Sequence, residues 1–373
     1  MKNLERDLAK NKAPLYWMHC ASVGEFEQGR PVIQALKKAR PEVKVLLTFY
    51  SPSGYRSKAP RSVADYVYYL PLDSKKKARK FVDIVCPEAV LFVKYEIWPN
   101  FFQAIKNKGV PLILISAIFR DDQRFFKSRW WAKKLALVDY FFVQNDASGQ
   151  LLKGIGIQEV EVAGDTRFDR VHDIASGIRE LPIISKFKSD QKLLVAGSSW
   201  EQDENLIKGY FDSRECSFKL IIAPHEVEKK RVQKLKESWG DKAILYSEVT
   251  VANIEEYQVL IIDNIGMLSQ IYSYADIAVI GGGFGAGIHN ILEAATFGMP
   301  ILFGPRFAKF NEAVELVKRK GAHEVNDQGS FNKVMDRFTQ SEDERNHCGE
   351  ICKAYVSEQL GATQRIVDYL MSR

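Results

Sequence analysis

Glu25 raises the first chemical question in this chain. It lies in "HCASVGEFEQG", His19 to Gly29, where an apolar run gives way to a helix-like stretch. A carboxylate at that point has two uses. Ser22-x-x-Glu25 fits a capping box, with the glutamate accepting the Ser22 N–H at a helix start. A glutamate at a strand end can instead be a general base, if it reaches a substrate hydroxyl and is shielded enough to raise its pKa. Spacing alone leaves both readings open.

A second set of candidates follows other apolar runs. The stretch Gly281–Gly287, "GGGFGAG", is the strongest physical signal, because glycines between a strand and a helix let backbone N–H groups close on a phosphate. The competing reading is a tight turn. "GGGFGA" satisfies the loose dinucleotide pattern, yet the next strand, "PILFGP", ends without the acid that would hold a ribose. A nicotinamide or flavin cofactor is therefore disfavoured. Glu293 stands one turn beyond His289 and Asn290, where it could accept hydrogen bonds from ribose hydroxyls or be an exposed helix acid. Ser198 and Ser199 begin another helix as caps or as ligands. Asp263 and His225 follow two further apolar runs as turn residues or as ligands. No G-x-x-x-x-G-K-[ST] loop and no G-x-S-x-G elbow is present, which removes the commonest phosphotransferase and hydrolase readings.

These residues need strands to carry them. "LYWMHCAS", "VKVLLTFY", "AVLFVKY", "VPLILISA", "LVDYFFVQN" and "VEVAGD" read as strands, separated by amphipathic stretches such as "EQGRPVIQALKKAR". The pattern weakens over residues 170–190 and restarts with "KLLVAGS", "FKLIIAPH", "KAILYSE", "VLIIDN", "IAVIGGG" and "PILFGP". Apolar strands alternating with helices predict parallel sheets covered on both faces. The expectation is α/β, with two doubly wound, Rossmann-like domains facing a cleft. Residues 1–175 form the first and 176–354 the second, and a helix over about 355–373 packs back on the first. In such sheets ligands collect beyond the carboxyl ends of the strands.

Composition narrows the class. With 46% hydrophobic and 27% charged residues the chain is globular, and a net charge of +6 suits an anionic substrate or an acidic membrane surface rather than nucleic acid. Five cysteines argue for a reducing compartment. Cys348 and Cys352 beside His347 lack the further pair a zinc site needs, so no metal is expected. No apolar run of about 18 residues appears, so any membrane contact would be peripheral. The segment "RFFKSRWWAKKLAL" offers cations and aromatics to an anionic bilayer or to acyl chains, or packs into its own domain; "KKKARK", Lys75 to Lys80, reads as a solvated helix face.

Taken in order, these stretches resemble the Kdo transferases of Gram-negative bacteria, which move 3-deoxy-D-manno-octulosonic acid (Kdo) from its cytidine monophosphate donor to a lipid A precursor. "HCASVGE" resembles the family's H-x-A-S-V-G-E, "EIWPN" its E-L/I-W-P-N, "AGDTRFD" its G-N-x-K-F-D, and "AGSSWEQDE" its A-G-S-T-x-x-x-E-E. "GGGFGAGIHNILEAATFGMPILFGP" resembles its nucleotide-binding stretch. The resemblance implies a GT-B glycosyltransferase that inverts the anomeric carbon without a metal or other cofactor, acting as a monomer on the cytoplasmic face of the inner membrane. It implies Glu25 as the base and Arg167 as the cation at the reacting carbon, with Arg120, Arg306 and Lys309 as further candidates. Ser22, Gly24 and Glu96 would serve the acceptor. Ser198, Ser199, His225, Asp263, Gly266, Gly283, Gly285, His289, Asn290, Glu293, Lys309 and Asn311 would hold CMP-Kdo. The helix after the glycine stretch would stabilise the leaving CMP. Three features depart from the family: "APHE" stands for A-P-R-H, "DNIGML" carries Met267 in place of an acid, and the apolar anchor that usually precedes the first strand is lacking. Other readings are a different GT-B enzyme such as a UDP-sugar 2-epimerase, or a two-lobed binding protein without turnover.

Overall fold

The structure, a computed structural model, describes residues 1–56, 62–214, 218–250 and 252–372. The chain forms two compact units. The first comprises Met1–Arg170 and the chain from Gln359 onward; the second is Val171–Glu358. The break at Arg170 falls inside one continuous helix, Thr166–Ser176, rather than at residue 175.

Unit 1 is built on β1 (Leu15–Cys20), β2 (Lys44–Phe49), β3 (Tyr66–Tyr69), β4 (Ala89–Val93), β5 (Leu112–Ala117), β6 (Tyr140–Val143) and β7 (Val160–Val162). They form one parallel sheet in the order β3-β2-β1-β4-β5-β6-β7. Strands buried on both faces must be apolar throughout. In β1, Leu15 and Trp17 enter one core with Phe81, Phe92 and Phe101, while Tyr16, Met18 and Cys20 enter the other with Phe26, Ile33 and Leu47. Gly29 in the helix Val23–Ala39 lets that helix approach β1, since a Cβ there would stand 2.5 Å from Met18 Sδ.

Unit 2 repeats the plan with β8 (Leu193–Ser199), β9 (Lys219–Pro224), β10 (Ala243–Leu245), β11 (Val259–Ile261), β12 (Ile277–Ile280), β13 (Ile301–Phe303) and β14 (Ala322–Glu324). The order is β10-β11-β9-β8-β12-β13-β14, again parallel. Both units are therefore doubly wound α/β layers.

Several local expectations change. β3 and β14 were not read as strands: β3 is a half-exposed "YVYY" and β14 only three residues long, so neither shows a buried apolar run. The aromatic segment is two short helices, Arg124–Lys127 and Arg129–Leu135, broken at Ser128. Phe125 is buried, Phe126 and Trp131 pack on the same core, and Trp130 stays 54% exposed. Cys348 and Cys352 are buried on the helix Glu342–Glu358, where Cys348 Sγ lies 3.7 Å from His323 rather than engaging His347.

The helical tail is also broken. Gly361, at φ 105°, separates Glu342–Glu358 from Ala362–Met371, a backbone angle that favours glycine. The last helix packs on Val23–Ala39 and sends Ile366, Val367 and Leu370 into the core of unit 1. Asp169 fixes its start, accepting the N–H groups of Gly361 (2.6 Å) and Thr363 (2.7 Å). Asp169→Ala leaves those donors without their acceptor and is expected to lower stability by about 1–3 kcal/mol, read as an earlier thermal melt.

Candidate active site

In unit 1 the strand order reverses between β1 and β4, which pair through His19 and Phe92. Such a switch point opens a crevice beyond the strand ends. Ser22 caps the helix that follows β1, and Gly24 and Glu25 stand in its first turn; the turn after β4 carries Lys94 and Glu96.

Glu25 sits at the third position of its helix, and Ser22 is the cap, its Oγ accepting the Glu25 N–H at 3.4 Å. The carboxylate does not fold back on Ser22. Its Oε2 accepts the N–H of Ala21, at 2.5 Å, one residue earlier than a capping box requires. The other oxygen has no intramolecular hydrogen bond among the described residues. One carboxylate thus braces the helix start with one oxygen, and a hydroxyl reaching the second would find it uncommitted.

The electrostatics favour a base. Burial, followed by the charge of Glu96, raises the Glu25 pKa from 4.5 to about 7, against the opposing pull of the Ala21 N–H and the Lys94 charge. Glu96 is itself raised by burial, although its Oε2 accepts the Trp98 indole N–H at 2.9 Å. The sequence reading missed Lys94, whose backbone is left-handed at φ 60° and whose charge reaches both carboxylates. A cation directly after a strand was the available signal. His19, fully buried, holds Nδ1 2.9 Å from Thr48 Oγ1, packs against Phe92 and Trp98, and has its pKa lowered by burial to about 3. It is a neutral wall of the site. Beside Glu96 lies a cavity of about 480 Å³ whose lining includes Tyr95, Trp98 and Arg124.

Arg167 is placed differently from expectation. Its Nε and Nη2 both donate to Asp165 Oδ2, at 2.9 and 2.8 Å, and Gln28 donates to the same oxygen. Burial pushes the Asp165 carboxyl up, but the Arg167 charge and hydrogen bonds outweigh it and hold the group ionised. This guanidinium is committed to a buried partner. Arg120, exposed, lies 3.5 Å from Asp122.

In unit 2 the order reverses between β8 and β12, which pair through Gly197 and Ile280. Three rings gather at these strand ends. His225 stacks on Trp200 (4.7 Å) and on His289 (4.4 Å), and Trp200 Nε1 donates to His289 Nε2 at 3.2 Å. Trp200 was not singled out in the sequence, because one tryptophan after a strand carries no pattern. Asn290 is held in place, its Nδ2 donating to Glu293 Oε1 (3.1 Å) and its Oδ1 accepting the Leu292 N–H (3.1 Å). Lys309 and Asn311 are exposed beyond β13, and Arg306 donates to the Gly285 carbonyl at 2.7 Å.

Three donor-side expectations are corrected. Ser199 is buried and gives its hydroxyl to Glu204 at 2.9 Å. Neither it nor Ser198 caps the following helix, whose cap is Trp200 with Asp203 accepting its N–H. Asp263 spends both oxygens on Ser247, while Gly266 beyond it has the left-handed angle of a turn, φ 103°. The glycine stretch is less of a cradle than its composition suggests. Gly281, Gly282, Gly285 and Gly287 give their N–H groups to protein acceptors, and a Cβ on Gly283 would stand 2.5 Å from the Gly304 nitrogen. Close backbone packing accounts for most of these glycines. The helix that follows is a single turn, Leu292–Ala295, too short for the dipole expected to stabilise a leaving group.

The raised pKa of Glu25 has a consequence for stability. The folded state holds this proton more tightly than the unfolded chain, so stability falls as pH rises from 4.5 to 7 and stays lower above that. Glu25→Gln removes this dependence and keeps an acceptor for Ala21. Relative to wild type the variant gains about 3 kcal/mol between about pH 4 and pH 8, measurable by denaturant melts at both pH values.

Residues 2–170 match the family model for 3-deoxy-D-manno-octulosonic-acid transferase (kdotransferase). The chain is 28% identical to the 3-deoxy-D-manno-octulosonic acid transferase of Aquifex aeolicus, across 85% of this chain and 83% of that one. It is also 28% identical to the enzyme of the same name from Chlamydia trachomatis serovar D, across 99% and 88%. Among solved structures it resembles the UDP-GlcNAc 2-epimerase of Neisseria meningitidis, at TM-score 0.66 and 16% identity over 96% of this chain and all of that one, a likeness of fold. Two Rossmann-like units with these strand orders are the GT-B fold, the first of them matches the Kdo transferase family model, and the chain as a whole is similar to Kdo transferases.

Proposed function

We propose that the protein transfers Kdo from CMP-Kdo to a sugar hydroxyl of a lipid A precursor (lipid IVA), with inversion and with no metal ion. The observation that carries this reading is Glu25: a shielded carboxylate at a switch point, with one oxygen uncommitted and a pKa near 7. The similarity to Kdo transferases supports the sugar, and the anionic donor and acceptor suit a chain of net charge +6.

Glu25, ionised, takes the proton of the acceptor hydroxyl. The hydroxyl oxygen forms a bond to the anomeric carbon of Kdo as the bond from that carbon to the phosphate oxygen breaks, and CMP leaves with the electron pair. A base near pKa 7 is matched to a neutral medium. Glu96 tunes it, since its negative charge keeps the Glu25 pKa raised. On the donor side Ser198, Gly283, His289, Glu293, Lys309 and Asn311 are assigned to CMP-Kdo, with Glu293 on the ribose and Lys309 toward an anionic group. Among the described residues no helix is long and apolar enough to cross a membrane. The exposed Tyr50 and Leu72 of unit 1 fit a peripheral contact with an anionic inner leaflet, on its cytoplasmic side.

Wild type is expected to transfer Kdo from enzymatically generated CMP-Kdo to a tetraacylated lipid A precursor, with EDTA present, and CMP rather than UDP should raise its melting temperature. Glu25→Ala and Glu25→Gln should keep the CMP shift and lose turnover by about 10²–10⁴-fold. For wild type, kcat/KM should rise with pH through about 7 and level off above it. Variants that keep turnover would remove Glu25 from the chemistry. Gly24 is exposed, and a Cβ there meets only Ser22 Oγ at 3.8 Å. Gly24→Leu is therefore expected to melt no earlier than wild type while raising the acceptor KM, because its side chain enters the space above Glu25.

A further inference from the structure

A second and larger cavity, about 1020 Å³, lies in unit 1 next to the one beside Glu96, and Asp73 lines both. Three helices enclose it: Lys75–Val85, Pro99–Asn107 and Arg129–Leu135. Each presents a chemically distinct edge.

The middle helix contributes amides. Asn100, Gln103 and Asn107 stand at helical spacing on the face opposite the buried Phe101, Phe102 and Ile105. Gln103 Nε2 donates to Asn107 Oδ1 at 3.0 Å, which orients both groups and leaves the Gln103 carbonyl and the Asn107 amino group for a ligand. The first helix contributes Lys75 and Arg79, one turn apart, and the third contributes Lys134, held 5.5 Å from the Trp130 ring centroid. Trp130 stands perpendicular to Trp131 with centroids 4.8 Å apart. Counter-charges are few and already engaged. Asp73 accepts the N–H groups of Asn100 and Phe101 at the start of the middle helix. Asp83 is 2.6 Å from Lys108 and 3.9 Å from Arg79. Lys75 and Lys134 have no carboxylate partner among the described residues.

This lining selects its occupant. An acyl chain would strip water from two lysines and three amides and return no hydrogen bonds, which is costly. A sugar ring satisfies amides through its hydroxyls and lies against an indole face, and a phosphate satisfies the cations. From Asn100 to Asn107 the helix runs about 10 Å, enough for one sugar ring bearing a phosphate. We propose that this groove is a second carbohydrate subsite, which binds a phosphorylated sugar unit remote from the attacked hydroxyl. The identification of that unit as part of the acceptor rests on the function proposed above. The cations of "KKKARK" and the exposed tryptophan thereby acquire a role that neither a solvated helix face nor an acyl groove describes.

The test titrates the full chain calorimetrically with glucosamine 1-phosphate, glucosamine and inorganic phosphate. Glucosamine 1-phosphate should bind at least about tenfold more tightly than either fragment. The double variant Lys75→Gln/Lys134→Gln, at one exposed and one half-buried position, neither with a carboxylate partner among the described residues, should lose that advantage with an unchanged melting temperature. Gln103→Leu should weaken the phosphosugar and leave inorganic phosphate unaffected. With the lipid acceptor, the double variant should raise KM about tenfold or more at a kcat within about twofold of wild type. Equal binding of inorganic phosphate, or a double variant that binds the phosphosugar as wild type does, overturns the subsite. Absence of Kdo transfer by wild type would instead overturn the proposed reaction, and the titration would still decide the groove.

Discussion

The burial of one carboxylate organises unit 1. Glu25 is held where β1 gives way to its helix, close enough to a half-buried acid, Glu96, for the charge of Glu96 to add to burial in raising its hold on a proton. Such an arrangement opposes folding at neutral pH, because like charges in a shielded crevice repel. The surrounding structure compensates locally. The Ala21 N–H binds one oxygen of Glu25, the Trp98 indole binds Glu96, and Lys94 offsets both charges from a strained backbone position. The aromatic packing of His19, Phe92 and Trp98 keeps the crevice walls rigid.

A cap and a base are usually alternative explanations of a glutamate at a helix start. Here the two oxygens of one group divide the roles. The helix start limits how the side chain can turn, so the uncommitted oxygen is presented in a restricted direction. Preorganisation of this kind lowers the cost of orienting a base when substrate arrives.

The sequence made the layered α/β plan readable because strands buried on both faces must be apolar end to end, as "VPLILISA" and "KLLVAGS" are. One edge strand of each sheet escaped it for the same reason: β3 and β14 are short or half exposed, and need no such run. Glu25 could be named in advance from its place beyond a strand, and Glu96 from the resemblance of "EIWPN", which it opens, to a family motif. What spacing could not supply was the partner of each polar group. Ser199, Asp263 and Arg167 have the right types at strand ends, yet Glu204, Ser247 and Asp165 take their polar atoms, at sequence separations of 5, 16 and 2. The glycines of Gly281–Gly287 were read for conformational freedom, whereas Gly281, Gly282 and Gly283 are required by backbone atoms of Ser198, Gly287 and Gly304 that pass too close for a Cβ. The groove was hidden because its three helices are separate in sequence and Lys75, Gln103 and Lys134 belong to no recognisable motif.

The closing helix of unit 1 bears on how the chain acquires its shape during synthesis. Ala362, Ile366, Val367 and Leu370 form part of a core whose other buried members precede residue 171, and all of unit 2 is encoded in between. Domains generally fold as they leave the ribosome, the N-terminal one first. Here the first unit emerges with one face of its core uncovered and keeps it so until the last helix has been made. The second unit, contiguous in sequence, can close first. The order of completion is thus the reverse of the order of synthesis, and the apolar face of Val23–Ala39 is the surface that a chaperone would meet in the interval.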